Sequence, residues 1–246
     1  MECPAIILLP IFYFWNSPEH NAVTLCFISL YMIHYFNRVF IFPFRIKTKG
    51  KRIPILIVFY AMAFNLCNTY FIGYFFGNMG KLYNESWFFS PYFIIGILIF
   101  ILGAYLNNRS DHILIKLRNS KGKEYTIPRR GLFKYVSCPN YTGEIVEWIG
   151  FAFLTLSIPA AAFALWTMAN LVPRAIAHHD WYNNKFRDDV HKIEPKLFIE
   201  LLMNIHILGF TQILIKLFLS RRDSRLLYDK IELMYNKFHH YAKPFV

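Results

Sequence analysis

The 246 residues are 56% hydrophobic and 19% aromatic against only 17% charged, which is far too apolar for an ordinary water-soluble domain. A membrane protein is expected, so the formal charge of +12 matters chiefly for where Lys and Arg lie, since they favour the cytosolic side; no nucleic-acid partner is expected. Cys3, Cys26, Cys67 and Cys138 form no CxxC pair and suggest neither a zinc site nor a disulfide framework.

Apolar stretches lie at 3–15, 22–44, 53–77, 88–106, 145–171 and 197–219, and a full span needs roughly 20 residues. The first is too short. It has no basic leader or small-residue cleavage site of a secretory signal, and it reads as the later part of a hydrophobic helix. The connector "RIKTKGKR" (45–52) carries five Lys/Arg, and 107–134 carries Arg109, Lys116, Arg118, Lys121, Lys123, Arg129, Arg130 and Lys134. Both are expected on the cytosolic side. Two spans separate them, so the loop near Lys81 and Glu85 falls on the lumenal side. The sequon Asn84-Glu85-Ser86 lies in that loop, close to the bilayer, whereas the sequons at Asn108 and Asn140 fall on the cytosolic side and should stay unmodified. The run 145–171 is followed by polar, basic "PRAIAHHDWYNNKF", which requires an even number of crossings. Pro159 supplies the break, giving two helices, about 140–157 and 159–186, that meet near the lumenal face. No internal repeat or low-complexity tract interrupts the chain.

At the 3.6-residue period, Asn140, Glu144 and Trp148 share one helix face. So do Arg174, His178 and Tyr182 on the last of these helices, and Asn107, Asp111 and Arg118 directly after a span. Tyr35 and Arg38, with His34 beside them, sit deep in the second apolar run. Four polar stripes thus converge on the cytosolic ends of neighbouring helices, where ionisable groups are costly and expected to be partnered and functional. Plainer roles compete. Loop Lys and Arg serve as topology determinants, and Trp148, Trp166 and Trp181 suit an interfacial belt. Asn140, Glu144 and Glu147 could cap a helix, although one Glu suffices for that.

There is no GxGxxG, GxxxxGK[ST] or HExxH in the sequence, so no Rossmann, Walker or zinc-protease site can be argued. No metal site is expected. A large anionic ligand arriving from the cytosol would need Arg for phosphate and Asn, Asp or Glu for ribose and amide, the residue types in the stripes. The aromatic interior suits an apolar substrate drawn from the lipid.

The stretches "LYMIHYFNRVFIFPF", "CNTYF", "FILGAYLNNRSDHILIKLR", "YTIPRRGLFKYVSCPNYTGEIVEWIGFAF" and "PRAIAHHDWYNNKF" resemble the steroid 5-alpha-reductase family in order and spacing, from about residue 2 to 186. The resemblance implies an all-α, polytopic bundle of about six hydrophobic helices in the endoplasmic reticulum membrane. It further implies an NADPH-dependent reductase acting on the Δ4 bond of a 3-oxo-steroid, without a Rossmann fold and with its cofactor site facing the cytosol. The matching cofactor positions are Asn107, Asp111, Arg118, Asn140, Glu144, Trp148, Arg174, His178 and Tyr182. Tyr35 and Glu2, the latter in a Glu-x-Pro motif, match the residues that hydrogen-bond the 3-keto oxygen. The reductase-like domain is expected over 1–189, and a divergent tail with one more apolar helix and a basic end over 190–246. The sequence departs from the family in three respects: its further span before Glu-x-Pro has no counterpart here, Arg130 replaces the first Gly of "GGLF", and the tail is distinct. Two other functions stay open: reduction of a trans-2-enoyl-CoA or related lipid enone, and an inactive homologue that keeps the fold. Oligomeric state is not legible.

Protease-cleavable tags inserted at Lys49 and Lys121 should be cut from the cytosolic side of intact microsomes, and one at Asn84 should be protected. Protection of the Lys121 tag would overturn the expected topology.

Overall fold

The computed structural model describes residues 2–15, 20–46, 53–120 and 128–186; the expected tail, 190–246, with its apolar run 197–219, lies outside the described residues. Among the described residues the chain is helical, with no strand. Its main helices are α1 (Cys3–Trp15), α2 (Ala22–Phe36), α3 (Phe42–Arg45), α4 (Ile55–Asn78), α5 (Pro91–Ser120), α6 (Pro139–Thr155) and α7 (Ile158–Lys185). Four segments are long and apolar enough to cross a membrane: Ala22–Arg45, Ile55–Asn78, Pro91–Arg118 and Ile158–Lys185. Ile55, Phe59 and Phe71 of α4 are exposed, as suits a lipid-facing helix, where apolar side chains need no burial in protein.

The first of these segments is continuous from α2 into α3 through a widened turn, Asn37–Ile41, in which the Phe42 amide donates to the Asn37 carbonyl. Such π-type turns recur at functional sites, and this one carries Arg38. Pro43, which cannot donate to the helix ladder, follows two residues after it.

The expected break at Pro159 is present, and its local chemistry is clear. Leu156 ends α6 in the left-handed region at φ 44°, a conformation that costs a non-glycine residue roughly 1–3 kcal/mol. Ser157 then caps α7 by accepting from the Ala160 amide, and Pro159 occupies the first turn, where its missing N–H is no loss. In contrast, the span expected over 88–106 continues helically to Ser120. The polar residues beyond 106 stay in the helix because side chains of the turn Asn37–Ile41 and of α3 reach across and answer them. The Asn37 amide donates to Asn108 Oδ1 at 2.6 Å, Arg38 pairs with Asp111, and Arg45 meets His112 Nδ1 at 2.8 Å.

At the opposite end of the bundle the helices are tied by backbone-directed bonds. Asn21 caps α2 through the Thr24 amide, and its side-chain amide donates to the carbonyls of Gly80 and Tyr83. Tyr83 and Trp87 donate to the carbonyls of Thr155 and Leu154, satisfying the C-terminal orphans of α6. Tyr13 and Thr24 hydroxyls, 2.8 Å apart, join α1 to α2.

The closest helix pair is α5 with α6. Gly96 and Gly103 on α5, and Gly143 and Gly150 on α6, each recur at seven residues and face the partner's backbone. A Cβ on Gly103 would overlap the Glu147 backbone nitrogen, and one on Gly143 the Asn107 nitrogen. In lipid, where no hydrophobic force drives helices together, such close backbone approach supplies the association. It also sets Asn107, Glu144 and Glu147 at one level.

Gly103→Ala should therefore destabilise the fold by at least the ~1–3 kcal/mol typical of overpacking, because the obstructing atoms are backbone. Leu102→Ala, on the exposed side of the same turn, should stay within about 0.5 kcal/mol. Thermal unfolding of both variants in detergent checks the contrast.

Candidate active site

The end of the bundle away from the Asn21 cap gathers the ionisable residues. Arg38 lies at its centre. Its guanidinium places Nη1 3.2 Å from Asp111 Oδ2 on α5, Nη2 3.0 Å from Glu144 Oε2 on α6, and Nε 4.0 Å from Glu2 Oε2 at the start of α1. The first two carboxylates are 8% and 16% exposed, but Glu2 is 41% exposed. The Asp111 and Glu144 pairs are therefore the strong ones, and the longer, wetter contact to Glu2 is weak. The Asn107 amide donates to Glu144 Oε2 at 3.3 Å.

Next along α6, Glu147 is buried and its Oε1 lies 2.8 Å from His34 Nδ1. Its Oε2 is buried without a partner, an acceptor left open for a donor. Beyond this pair begins the aromatic interior. Trp148 is packed among Tyr31, His34, Tyr35 and Phe163, with centroids between 4.5 and 6.0 Å. Tyr31 and Tyr35 stack at 4.7 Å, and the Asn68 amide of α4 donates to the Tyr31 hydroxyl at 2.8 Å. Glu2 is close enough to act electrostatically on both phenols.

A second, basic cluster lies on the α7 side. Arg118 at the end of α5 and exposed Arg174 on α7 both act on His178. The His178 ring is 6.0 Å from Tyr141, which feels Arg174 on one side and Glu144 and Arg38 on the other. Tyr182 is buried one turn further along α7, where its ring meets Trp181. The neighbouring His179 is held by Ser137 and Asn183, so the two adjacent histidines have different surroundings.

The residues singled out in the sequence thus divide into three groups. Glu2, Asn107, Asp111, Asn140 and Glu144 surround Arg38; Arg118, Arg174 and His178 form the basic cluster; Tyr35 and Trp148 line the aromatic interior. A capping role for Asn140, Glu144 and Glu147 does not hold, because α6 starts after Cys138 without a side-chain cap, Glu144 binds Arg38 and Glu147 binds His34. Arg38, His34 and Glu147 belong to the site as well, and composition held their signal: each is ionisable within an apolar run. Tyr31 and Asn68 gave no such signal, since an isolated phenol or amide in a membrane helix is ordinary.

The donor set fits a nicotinamide dinucleotide. Arg118 and Arg174 are free to meet phosphates, while Asn107, Asn140, Glu144 and the open Glu147 oxygen offer acceptors and amides to ribose hydroxyls and a carboxamide.

The sequence matches the family described as 3-oxo-5-alpha-steroid 4-dehydrogenase over residues 51–198, past Phe186, where the resemblance read from the sequence ends. The chain is 40% identical over 197 residues to steroid 5-alpha-reductase DET2 of Gossypium hirsutum, covering 78% of this chain and 76% of that protein. The Arabidopsis thaliana protein of the same name is 39% identical over 78% of this chain and 75% of its own. A 3-oxo-5-alpha-steroid 4-dehydrogenase 1 of Rattus norvegicus is 42% identical over 65% of this chain and 61% of its own.

Arg38→Met should destabilise the fold by about 3–5 kcal/mol, because it leaves two carboxylates buried and uncompensated. Adding Asp111→Asn and Glu144→Gln to Arg38→Met should recover much of that loss, and unfolding of the single and triple variants measures it.

Proposed function

Because the chain belongs to the 3-oxo-5-alpha-steroid 4-dehydrogenase family, we propose that it is an NADPH-dependent oxidoreductase of the endoplasmic reticulum membrane that reduces the Δ4 double bond of a 3-oxo-steroid to the 5α product. The observation that carries this reading is the gathering of Glu2 and Tyr35 at the border between the ionic cluster and the aromatic interior. A carbonyl donor pair is needed there if a flat apolar substrate lies in the aromatic part and a polar cofactor in the ionic part. The reductase unit is assigned to residues 1–189, with its cofactor end facing the cytosol.

When bound, the dihydronicotinamide supplies a hydride to the β-carbon of the enone. The residues of the chain do the rest. Arg118, Arg174 and His178 hold the phosphates, and Asn107, Asn140 and Glu144 orient the nicotinamide riboside. Asp111 acts on the cofactor side by holding Arg38, and Trp148 and Tyr182 wall the site and exclude water. As the β-carbon gains its new bond, the electron pair of the double bond moves toward the 3-keto oxygen, where negative charge develops. Tyr35 donates a hydrogen bond to that oxygen, and Glu2 donates the second when protonated. Collapse of the enolate and uptake of a proton at the α-carbon complete the reduction. A preorganised donor aimed at such an oxygen is worth ~3–4 kcal/mol, so these two groups carry a large part of the barrier lowering.

The test uses the full chain in lipid nanodiscs with NADPH and a Δ4-3-ketosteroid, following NADPH loss and the 5α product. Tyr35→Phe keeps the ring and should lower kcat by ~10²-fold or more with NADPH affinity unchanged. Arg174→Ala should weaken NADPH binding by about 10- to 100-fold, the equivalent of ~1.5–3 kcal/mol for a charge-assisted contact, and leave steroid binding intact. Arg174 is the cleaner choice than Glu144, which also holds Arg38. Turnover of a trans-2-enoyl-CoA but no steroid would replace the substrate assignment, and turnover of neither would favour an inactive homologue that keeps the fold.

A further inference from the structure

We propose that Glu147 receives the carboxamide of the nicotinamide ring, its Oε2 accepting the carboxamide N–H, and that His34 is a positioning residue that holds the carboxylate for this contact. The inference rests on the cofactor reading given above and deepens it, by naming which group of the ring is gripped and by what.

Two oxygens of one buried side chain are treated unequally. Glu147 is 2% exposed. Its Oε1 lies 2.8 Å from His34 Nδ1, whereas its Oε2 is buried with no hydrogen-bond partner among the described residues. Buried carboxylate oxygens are normally satisfied, and one left open is costly. The donors of the neighbouring ion cluster are directed elsewhere: the terminal nitrogens of Arg38 to Asp111 and Glu144, and the Asn107 amide to Glu144. The carboxylate is also fixed in place. A Cβ on Gly103 would overlap the Glu147 backbone nitrogen, so α5 leaves α6 no room to shift at this level, and the His34 ring meets Trp148 edge to face at 4.7 Å. Oε2 is therefore a preorganised acceptor whose donor comes from outside the chain.

The level of Glu147 selects that donor. It stands three residues beyond Glu144 on α6, about 4.5 Å along the helix axis, toward Trp148 and the aromatic interior. With Asn107 and Glu144 at the ribose, the next part of the cofactor inward is the nicotinamide ring, and the carboxamide is the only N–H donor that ring carries. An ionised acceptor makes this a charge-assisted bond. Gripping the ring at its carboxamide fixes its rotation about the glycosidic bond, and with it the face turned toward the aromatic interior. His34 acts only through Glu147.

The test is equilibrium binding to the full chain in nanodiscs without steroid, so it needs no turnover. The probes are NADPH and two analogues: the 3-acetylpyridine form, in which a methyl group replaces the carboxamide NH2, and the thionicotinamide form, which keeps the NH2 and exchanges the oxygen for sulfur. The parent should bind the acetylpyridine form about 10- to 100-fold more weakly than NADPH and the thionicotinamide form within about threefold of it, the difference made by one charge-assisted hydrogen bond. Glu147→Leu removes both acceptor oxygens, and should bind NADPH and the acetylpyridine form within about twofold of each other, as expected when the two changes delete the same contact. His34→Phe keeps a ring against Trp148, and should weaken NADPH about tenfold and the acetylpyridine form less than about twofold. A purely structural role for either residue would weaken all three cofactors in proportion. The comparison of analogues on the parent depends on no variant folding. Equal binding of NADPH and the acetylpyridine form by the parent, or discrimination that survives Glu147→Leu, would overturn the assignment and leave the cofactor reading standing. Failure of the parent to bind any of the three would overturn both.

Discussion

A guanidinium inside an apolar helix must be answered from within the protein, and the arrangement of this end of the molecule follows from how Arg38 is answered. Its two close partners come from α5 and α6, and a third, weaker one from the start of α1. Burying a carboxylate costs several kcal/mol, which is offset only when geometry and further hydrogen bonds are good. One such bond is present, that of the Asn107 amide on Glu144. The ion cluster therefore fixes the rotation of three helices about their own axes, and with it the faces that Tyr35, His34 and Glu147 present.

The ionic end and the aromatic interior obey opposite rules, and α6 carries the change from one to the other. Asn140, Glu144 and Glu147 face ions or amides, while Trp148, Phe151 and Leu154 lie in the core. Between them lies the His34–Glu147 pair, with one carboxylate oxygen unanswered. A buried acceptor of this sort is costly, and it persists where a ligand supplies the missing donor. This boundary is where a reductase needs its two substrates to meet.

Much of this was legible in the sequence because periodicity and charge placement are local signals. The break at Pro159 followed from the proline itself, and the stripe Asn140, Glu144 from a four-residue spacing. Two things were not legible. The extension of α5 to Ser120 depends on Asn37, Arg38 and Arg45 reaching across from another helix, a tertiary effect that overrides the polar composition after residue 106. The glycines of α5 and α6 carry a packing signal only once the two helices are known to be antiparallel neighbours. The link from Asn68 to Tyr31 likewise joins residues 37 apart in the chain.

The α5–α6 seam carries a consequence for how such a protein can diversify. At its four glycines the contact surface is backbone, so almost no substitution at those positions can alter shape by small steps. The core built by α1, α2, α4 and α7 consists of Phe, Tyr, Leu, Ile, Val and Ala, residues that exchange volume gradually. A lineage altering its choice of apolar ligand would thus remodel that core and keep the glycines of the seam. An inhibitor touching the core would discriminate between relatives, whereas one reaching the seam would inhibit them alike.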